Sequence, residues 1–209
     1  QPSWRVGLVG ALLGLSLGIH FALALFGHSM GYASLEMWGV YGICLSTFHL
    51  LEFFVTALSN PTQLSSDSYL VNHSRAYTGA HLFAAMEFTF MFTFFPGCFS
   101  LRISMLGVVM VVIGQFIRSL AMVTCGESFN HLIQMERKDS HVLVTRGIYK
   151  YLRHPSYVGF HWWSFGTQLI LNNPISACLF FAASLRFFSK RIPYEERSLL
   201  HHFPDEYMW

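Results

Sequence analysis

Residues 143–159 read Leu143-Val-Thr-Arg-Gly-Ile-Tyr-Lys-Tyr-Leu-Arg-His-Pro-Ser-Tyr-Val-Gly159, a polar and basic interval in an otherwise apolar chain. It closes on Arg153-His154-Pro155-Ser156-Tyr157, where polar side chains meet the start of an apolar segment. Proline has a fixed φ and no N–H. Pro155 therefore disfavours helix at His154 and suits the first turn of the helix that follows. The backbone must turn where water gives way to an apolar phase, and a polar ligand can be held at such a turn.

The flanking sequence says what that phase is. The 209 residues are 53% hydrophobic and 11% charged, against roughly 25% charged in an average soluble domain. Mean hydropathy is +0.43. Long uncharged runs place the chain among membrane proteins. A net charge of +2 gives no basis for nucleic-acid binding. Cys44, Cys98, Cys125 and Cys178 lie in or beside apolar segments without CxxC pairing, and read as buried free thiols. No HxxxH or HExxH spacing occurs, so no metal is expected. The chain begins at Gln1, so further N-terminal sequence is expected, and no signal-peptide pattern is visible.

Upstream, residues 6–26 carry no Asp, Glu, Lys or Arg and have about the length of a spanning helix. Gly10, Gly14 and Gly18 recur there every four residues and are read as a seam for close helix packing. Residues 37–58 form a second span with His49 and Glu52, 76–95 a third with His81 and Glu87, and 103–125 a fourth with Gln115 and Arg118. Downstream, residues 158–171 and 175–188 are apolar runs joined by Asn172-Asn173-Pro174, a turn signal. Each is roughly 21 Å long as helix, short for a hydrocarbon core of about 30 Å. The expected fold is all-α, a polytopic integral membrane protein of about six membrane segments. Its last two segments form a short helical hairpin. Residues 1–125 are a four-span bundle, and 126–209 are a second region within one integrated domain.

A hairpin brings its outer ends, near His154 and near Glu195, to the same membrane face. Threading the segments puts Arg5, Arg75, Arg137, Lys138, Arg146, Lys150, Arg153, Lys190, Arg191 and Arg197 on that face, and Arg102 on the other. That asymmetry makes the polar face cytosolic. The sequon Asn72-His73-Ser74 falls on it and is expected to be unglycosylated.

Ionisable groups inside spans are candidates for function. Arg118 has two readings: it snorkels to the interface or pairs with Glu52 or Glu87, or it holds an anionic group of a lipid-like substrate. Glu52 and Glu87 read as helix-packing partners, and His20, His49, His81 and His161 as interior histidines with local partners.

The Arg153–Gly159 motif, Glu195-Glu196-x-x-Leu199 some 40 residues on, and the apolar hairpin between them follow a four-span bundle. Together they resemble the isoprenylcysteine carboxyl methyltransferase family. The likeness includes Ser128-Phe129-Asn130-His131, Leu143-Val144-Thr145 with Gly147-x-Tyr149, and Gly166-Thr167-Gln168 before Asn173-Pro174. Longer eukaryotic members carry two further N-terminal spans and a basic tail after the final Glu-Tyr. The resemblance implies S-adenosylmethionine as methyl donor, leaving as S-adenosylhomocysteine. The implied acceptor is the α-carboxylate of a C-terminal prenylated cysteine, as in CaaX-processed small GTPases. It implies cofactor contacts at Gln134, His141, Val142, Leu143, Val144, Tyr149, His154, Pro155, Ser156, Tyr157 and Glu195. It puts arginines near the acceptor carboxylate at Arg118 and Arg191. It also implies a multi-pass protein of the endoplasmic reticulum membrane with its active site facing the cytosol.

The residue chemistry suits that donor. Glu195 can accept from an ammonium or from ribose hydroxyls, His154 can donate to a carboxylate, and Tyr149 and Tyr157 offer aromatic faces to a sulfonium. Alternatives stay open: Tyr149 as an interfacial anchor, and Glu195 as the partner of a nearby Lys or Arg. At the level of function the rivals are a phospholipid-amine methyltransferase, a sterol reductase using NADPH, and a membrane scaffold without activity.

Overall fold

A computed structural model describes residues 3–71, 74–131 and 142–207. Its regular structure is helical, with no strand among the described residues. The helices are α1 (Ser3–Met30), α2 (Ala33–Ser59), α3 (Arg75–Phe94), α4 (Leu101–Cys125), α5 (Pro155–Leu171) and α6 (Pro174–His202).

Helices α1 and α2 form a hairpin. Its turn uses Gly31 at φ +72°, a region other residues enter at a cost. The two helices touch backbone to backbone. A Cβ at Gly39 would lie 2.4 Å from the Ala24 nitrogen, and one at Gly27 would lie 2.4 Å from that of Glu36. The Gly10, Gly14, Gly18 seam expected from the sequence is not used this way. Gly14 and Gly18 face open space, and a Cβ at Gly10 would meet only the Tyr69 side chain. Spacing marks a face of the helix, but the partner helix chose another.

The α4–α5 crossing positions everything else. Gly107 lies against Gly166, and Gly114 against Gly159; added Cβ atoms would meet the opposing carbonyl oxygens at 2.6–2.9 Å. Both pairs are seven residues apart on each helix, so the antiparallel register is locked at two points two turns apart. Ser104 Oγ donates to the Ile170 carbonyl at 3.0 Å along the same seam. Beside it Trp163 stacks on Phe48 of α2 at 4.1 Å, and Tyr41, Phe88, Val111, Ile170 and Leu171 complete the core.

The α5–α6 hairpin turns at Asn172, at φ +55°. Glu87 of α3 caps the start of α6 in trans: its carboxylate oxygens accept from the Ile175 and Ser176 N–H groups at 2.7 and 2.6 Å. A carboxylate there satisfies orphan donors and meets the positive end of the helix dipole. Asn173 adds a bond to the Ala84 carbonyl at 2.8 Å.

Two expectations change. Helix α6 does not end near Phe188. It runs on through Pro193 for 29 residues, about 44 Å, so the Glu195-Glu196 segment belongs to the same rod as the apolar hairpin arm. By length and composition three helices among the described residues can cross a membrane: Ser3–Met30, Ala33–Ser59 and α4 carried on to Ser128. The expected count of about six spans is not reached on that measure: α3 is long enough but not apolar enough, α5 has only 17 residues and the second half of α6 is charged.

Candidate functional site

One turn beyond the Gly114–Gly159 contact, the register sets Arg118 of α4 against the first turn of α5. Arg118 is 6% exposed and Glu52 of α2 is 1% exposed. The guanidinium grips that carboxylate with both edges: Nε to Oε1 at 2.5 Å and Nη2 to Oε2 at 2.9 Å. Its Nη1 donates to Ser156 Oγ at 3.0 Å. The rings of Phe48 and Phe160 lie 5.6 and 5.5 Å away. A planar fork matches a carboxylate in this way, and each charge makes the other tolerable away from water. His131 Nε2 stands 3.8 Å from the same carboxylate.

Pro155 opens α5, with His154 as the residue before it. Tyr157, one turn on, donates its hydroxyl to Glu195 Oε2 of α6 at 2.5 Å, and Arg191 Nε donates to that hydroxyl oxygen at 2.8 Å. Arg191 Nη2 donates to the His131 carbonyl at 2.6 Å. No carboxylate makes an ion pair with Arg191 among the described residues, in contrast to Arg118. The His154 ring stacks on Tyr157 at 5.5 Å with a 2° tilt. Spacing on α6 puts Arg191, Glu195, Ser198 and His202 on one face.

A 3-10 turn, Gly147–Lys150, precedes this corner. Gly147 has φ +60°, and a Cβ there would sit 2.9 Å from Thr124 of α4, so glycine is required on both counts. The turn presents Tyr149 beside Cys125. Burial, and after it the Cys125 thiol, raises the Tyr149 phenol well above its usual range, so it stays a neutral donor.

These pieces enclose one cavity of about 610 Å³. Its polar end holds Tyr149, His154, Tyr157, Arg191 and Glu195. Its apolar arm runs between α3 and α6 past Ala80, Phe83, Leu179, Phe180, Ala183 and Phe187. Leu179 lies about 18 Å along α6 from Arg191. Val142, Leu143, Val144, Ser156 and Arg118 also line it. Pro155 is buried in the wall behind. Gln134 and His141 lie outside the described residues. Among the wall residues that the sequence leaves without a role are Asn130, Phe203 and Tyr207. Phe203 and Tyr207 had a signal, as aromatic residues in a polar C-terminal stretch. Among the described residues no group of three or more His, Cys, Asp or Glu is placed to hold a metal, and the four cysteines are free thiols but not all buried as expected, since Cys98 and Cys178 lie on the outer surface of the bundle.

A helical membrane bundle whose cavity joins a polar chamber to an apolar arm defines a class: membrane-embedded proteins that bring a water-soluble ligand to a lipid-bearing one. The Isoprenylcysteine carboxyl methyltransferase (ICMT) family model matches residues 105–201. The protein-S-isoprenylcysteine O-methyltransferase of Xenopus laevis is 43% identical over 206 residues, spanning 98% of this chain and 70% of that one. The Homo sapiens protein of the same name is 42% identical over 208 residues, 99% and 72% of the two chains. The Saccharomyces cerevisiae one is 38% identical over 215 residues, 100% and 87%. The structure of the eukaryotic intramembrane Ras methyltransferase ICMT superposes with a TM-score of 0.86 at 39% identity, covering 91% of this chain and 69% of that one. The chain belongs to the isoprenylcysteine carboxyl methyltransferase family.

Proposed function

We propose that this protein transfers a methyl group from S-adenosylmethionine to the α-carboxylate of a C-terminal farnesyl- or geranylgeranyl-cysteine in CaaX-processed proteins such as small GTPases. One observation carries the reading. Arg191 stands where the polar chamber meets the apolar arm, with no carboxylate in direct contact among the described residues and Glu195 reached only through the Tyr157 hydroxyl. An acceptor with a carboxylate at one end and a prenyl chain at the other matches that junction.

The polar chamber suits the cofactor. Glu195 Oε1 has no hydrogen-bond partner among the described residues, although Oε2 is occupied, so it can accept from an ammonium or hydroxyl. Tyr149 and Tyr157 supply ring faces and His154 a donor, beside the wall of Val142, Leu143 and Val144. S-adenosylmethionine, when bound, would supply an electrophilic methyl on a sulfonium, and Glu195, His154, Tyr149 and Tyr157 would hold it toward the acceptor oxygen. No general base is needed, because an α-carboxyl group has a pKa of about 3.5 and is already ionised. The protein's share is alignment and exclusion of water. Arg191 orients the carboxylate through Nη1, while Tyr157 and the His131 carbonyl fix its other nitrogens. Arg118 flanks the site from α4, with Glu52 balancing its charge. The prenyl chain lies along α3 and α6, reached sideways from the bilayer.

The labour divides between residues 1–125, a membrane bundle, and 126–209, which supplies most of the polar walls within one integrated domain. The location we infer is the endoplasmic reticulum membrane, multi-pass, with the polar chamber on the cytosolic face; the basic residues gathered on that face support it.

The test is transfer of a labelled methyl from S-adenosylmethionine to N-acetyl-S-farnesylcysteine by purified protein, with unprenylated cysteine as control. Base-labile label on the farnesylated compound alone, lost in Arg191→Ala and Glu195→Ala, is expected. S-adenosylhomocysteine should stabilise the protein in detergent and NADPH should not. No transfer despite S-adenosylhomocysteine binding would move the acceptor to another lipid.

A further inference from the structure

Beyond α6 the chain folds back on itself. The Tyr207 N–H donates to the Phe203 carbonyl at 3.0 Å, closing residues 203–207 into a hook. Phe203 and Tyr207 are each 6% exposed, whereas Pro204, Asp205 and Glu206 face outward. Both aromatic residues line the polar end of the cavity.

From the hook a chain of contacts reaches the centre. Tyr207 donates its hydroxyl to Glu196 Oε1 at 3.2 Å, and the same oxygen meets His154 Nε2 at 3.1 Å. Arg153 meets the other oxygen at 3.5 Å and lies over the Tyr207 ring at 5.4 Å. The second nitrogen of His154, Nδ1, is 3.6 Å from Glu195 Oε2, the oxygen that also accepts from Tyr157. His154 thus stands between two glutamates, with one ring nitrogen toward each. The donor set on Glu196 therefore bears on how His154 meets Glu195.

We propose that Tyr207 and Glu196 are positioning residues for the methyl donor: the hook fixes Glu196, Glu196 fixes His154, and His154 with Tyr157 orients the Glu195 carboxylate toward the chamber. This rests on the cofactor role given above to Glu195. Neither residue faces the apolar arm, so their effect falls on one substrate of the two.

Tyr207→Phe keeps the ring over Arg153 and removes the hydroxyl. We expect KM for S-adenosylmethionine to rise about two- to tenfold, the range of a single hydrogen bond. KM for N-acetyl-S-farnesylcysteine should stay within about twofold of wild type. Glu196→Gln should act in the same direction. The double variant should be no worse than the poorer single one, because the two act in series. A merely structural hook would lower the amount of folded enzyme and leave both KM values alone; that result, or an equal rise in both, overturns the proposal. Binding of S-adenosylhomocysteine, read as a thermal shift in detergent, separates the two claims. A wild type that binds it without methylating farnesylcysteine refutes the acceptor assignment, and the positioning proposal then stands or falls on whether Tyr207→Phe weakens that binding. A folded wild type that does not bind it overturns both.

Discussion

Removing Glu52 alone should be among the most damaging single changes in this protein. Its carboxylate takes both edges of Arg118, and the two residues are 1% and 6% exposed. Glu52→Ala leaves a guanidinium buried with only Ser156 to answer it. An orphaned buried charge costs about 3–5 kcal/mol, which for a chain of this size lowers Tm by roughly 6–20 °C. Arg118→Met should cost a similar amount by stranding Glu52. The double variant Glu52→Leu with Arg118→Met removes both charges and fills the space with apolar atoms. It should recover most of either loss, because well-packed apolar groups often replace a buried pair at little cost. Fluorescence-monitored thermal unfolding in one detergent, run as a double-mutant cycle, reads the coupling. A double variant as unstable as the sum of the single ones would refute the pair as the joint between α2 and the α4–α5 seam. Acceptor KM in the double variant is a second readout: if unchanged, Arg191 alone holds the carboxylate.

Gly114→Ala and Gly159→Ala should each destabilise by about 1–3 kcal/mol through overpacking, since the added carbon would sit 2.6 Å from the opposing carbonyl oxygen. Gly14→Ala and Gly18→Ala, in open space, should not. The C-terminal hook should be held over a bounded pH range. Burial pushes the Glu196 carboxyl up, but bonds from His154 and Tyr207 and the charges of His154 and Arg153 outweigh this and hold it below its ordinary 4.5. Its contribution is present above that value and is lost as pH falls through the lowered pKa. Burial, then the Glu196 charge, pushes the Tyr207 phenol from 10 up to about 12, so that contribution is whole below pH 10 and lost as pH rises toward 12. Proteolysis or hydrogen exchange of residues 203–207 across pH checks both edges; protection that fails near neutral pH would contradict them.

Much of the architecture could be read from residue order, and what could not has identifiable causes. The apolar runs of α1, α2 and α4 are long enough to speak for themselves, and Asn172-Asn173-Pro174 marks the hairpin turn. The extent of α6 was hidden by Pro193, which signals a break, yet the helix runs through it and Arg197 Nε bonds back to the Pro193 carbonyl at 3.2 Å. Arg118 had two carboxylates on offer, Glu52 and Glu87, each in a span. Only the fold sends Glu87 to the start of α6 and leaves Glu52 to the arginine. The glycines show the same limit. A four-residue repeat in α1 drew attention, while the working contacts use seven-residue spacing on two helices far apart in sequence. The site motifs carried further, because a turn at Pro155 and a hairpin constrain where polar groups can meet. The hook did not, since Tyr207 meets Glu196 only once α6 has ended and the chain has reversed.

The α4–α5 seam also bears on selectivity. It is made chiefly of glycine against backbone, so it fixes the corner that carries Arg118 and Ser156 without enlisting the α3 and α6 side chains of the apolar arm. Most of the arm's wall comes from α3 and α6, with Phe160 and Trp163 of α5 on the remaining side. Substitutions at Ala80, Phe83, Leu179 or Ala183 can reshape the arm while leaving that corner in place. On the function proposed above, preference for one prenyl length over another can change through these positions without disturbing the corner that carries Arg118.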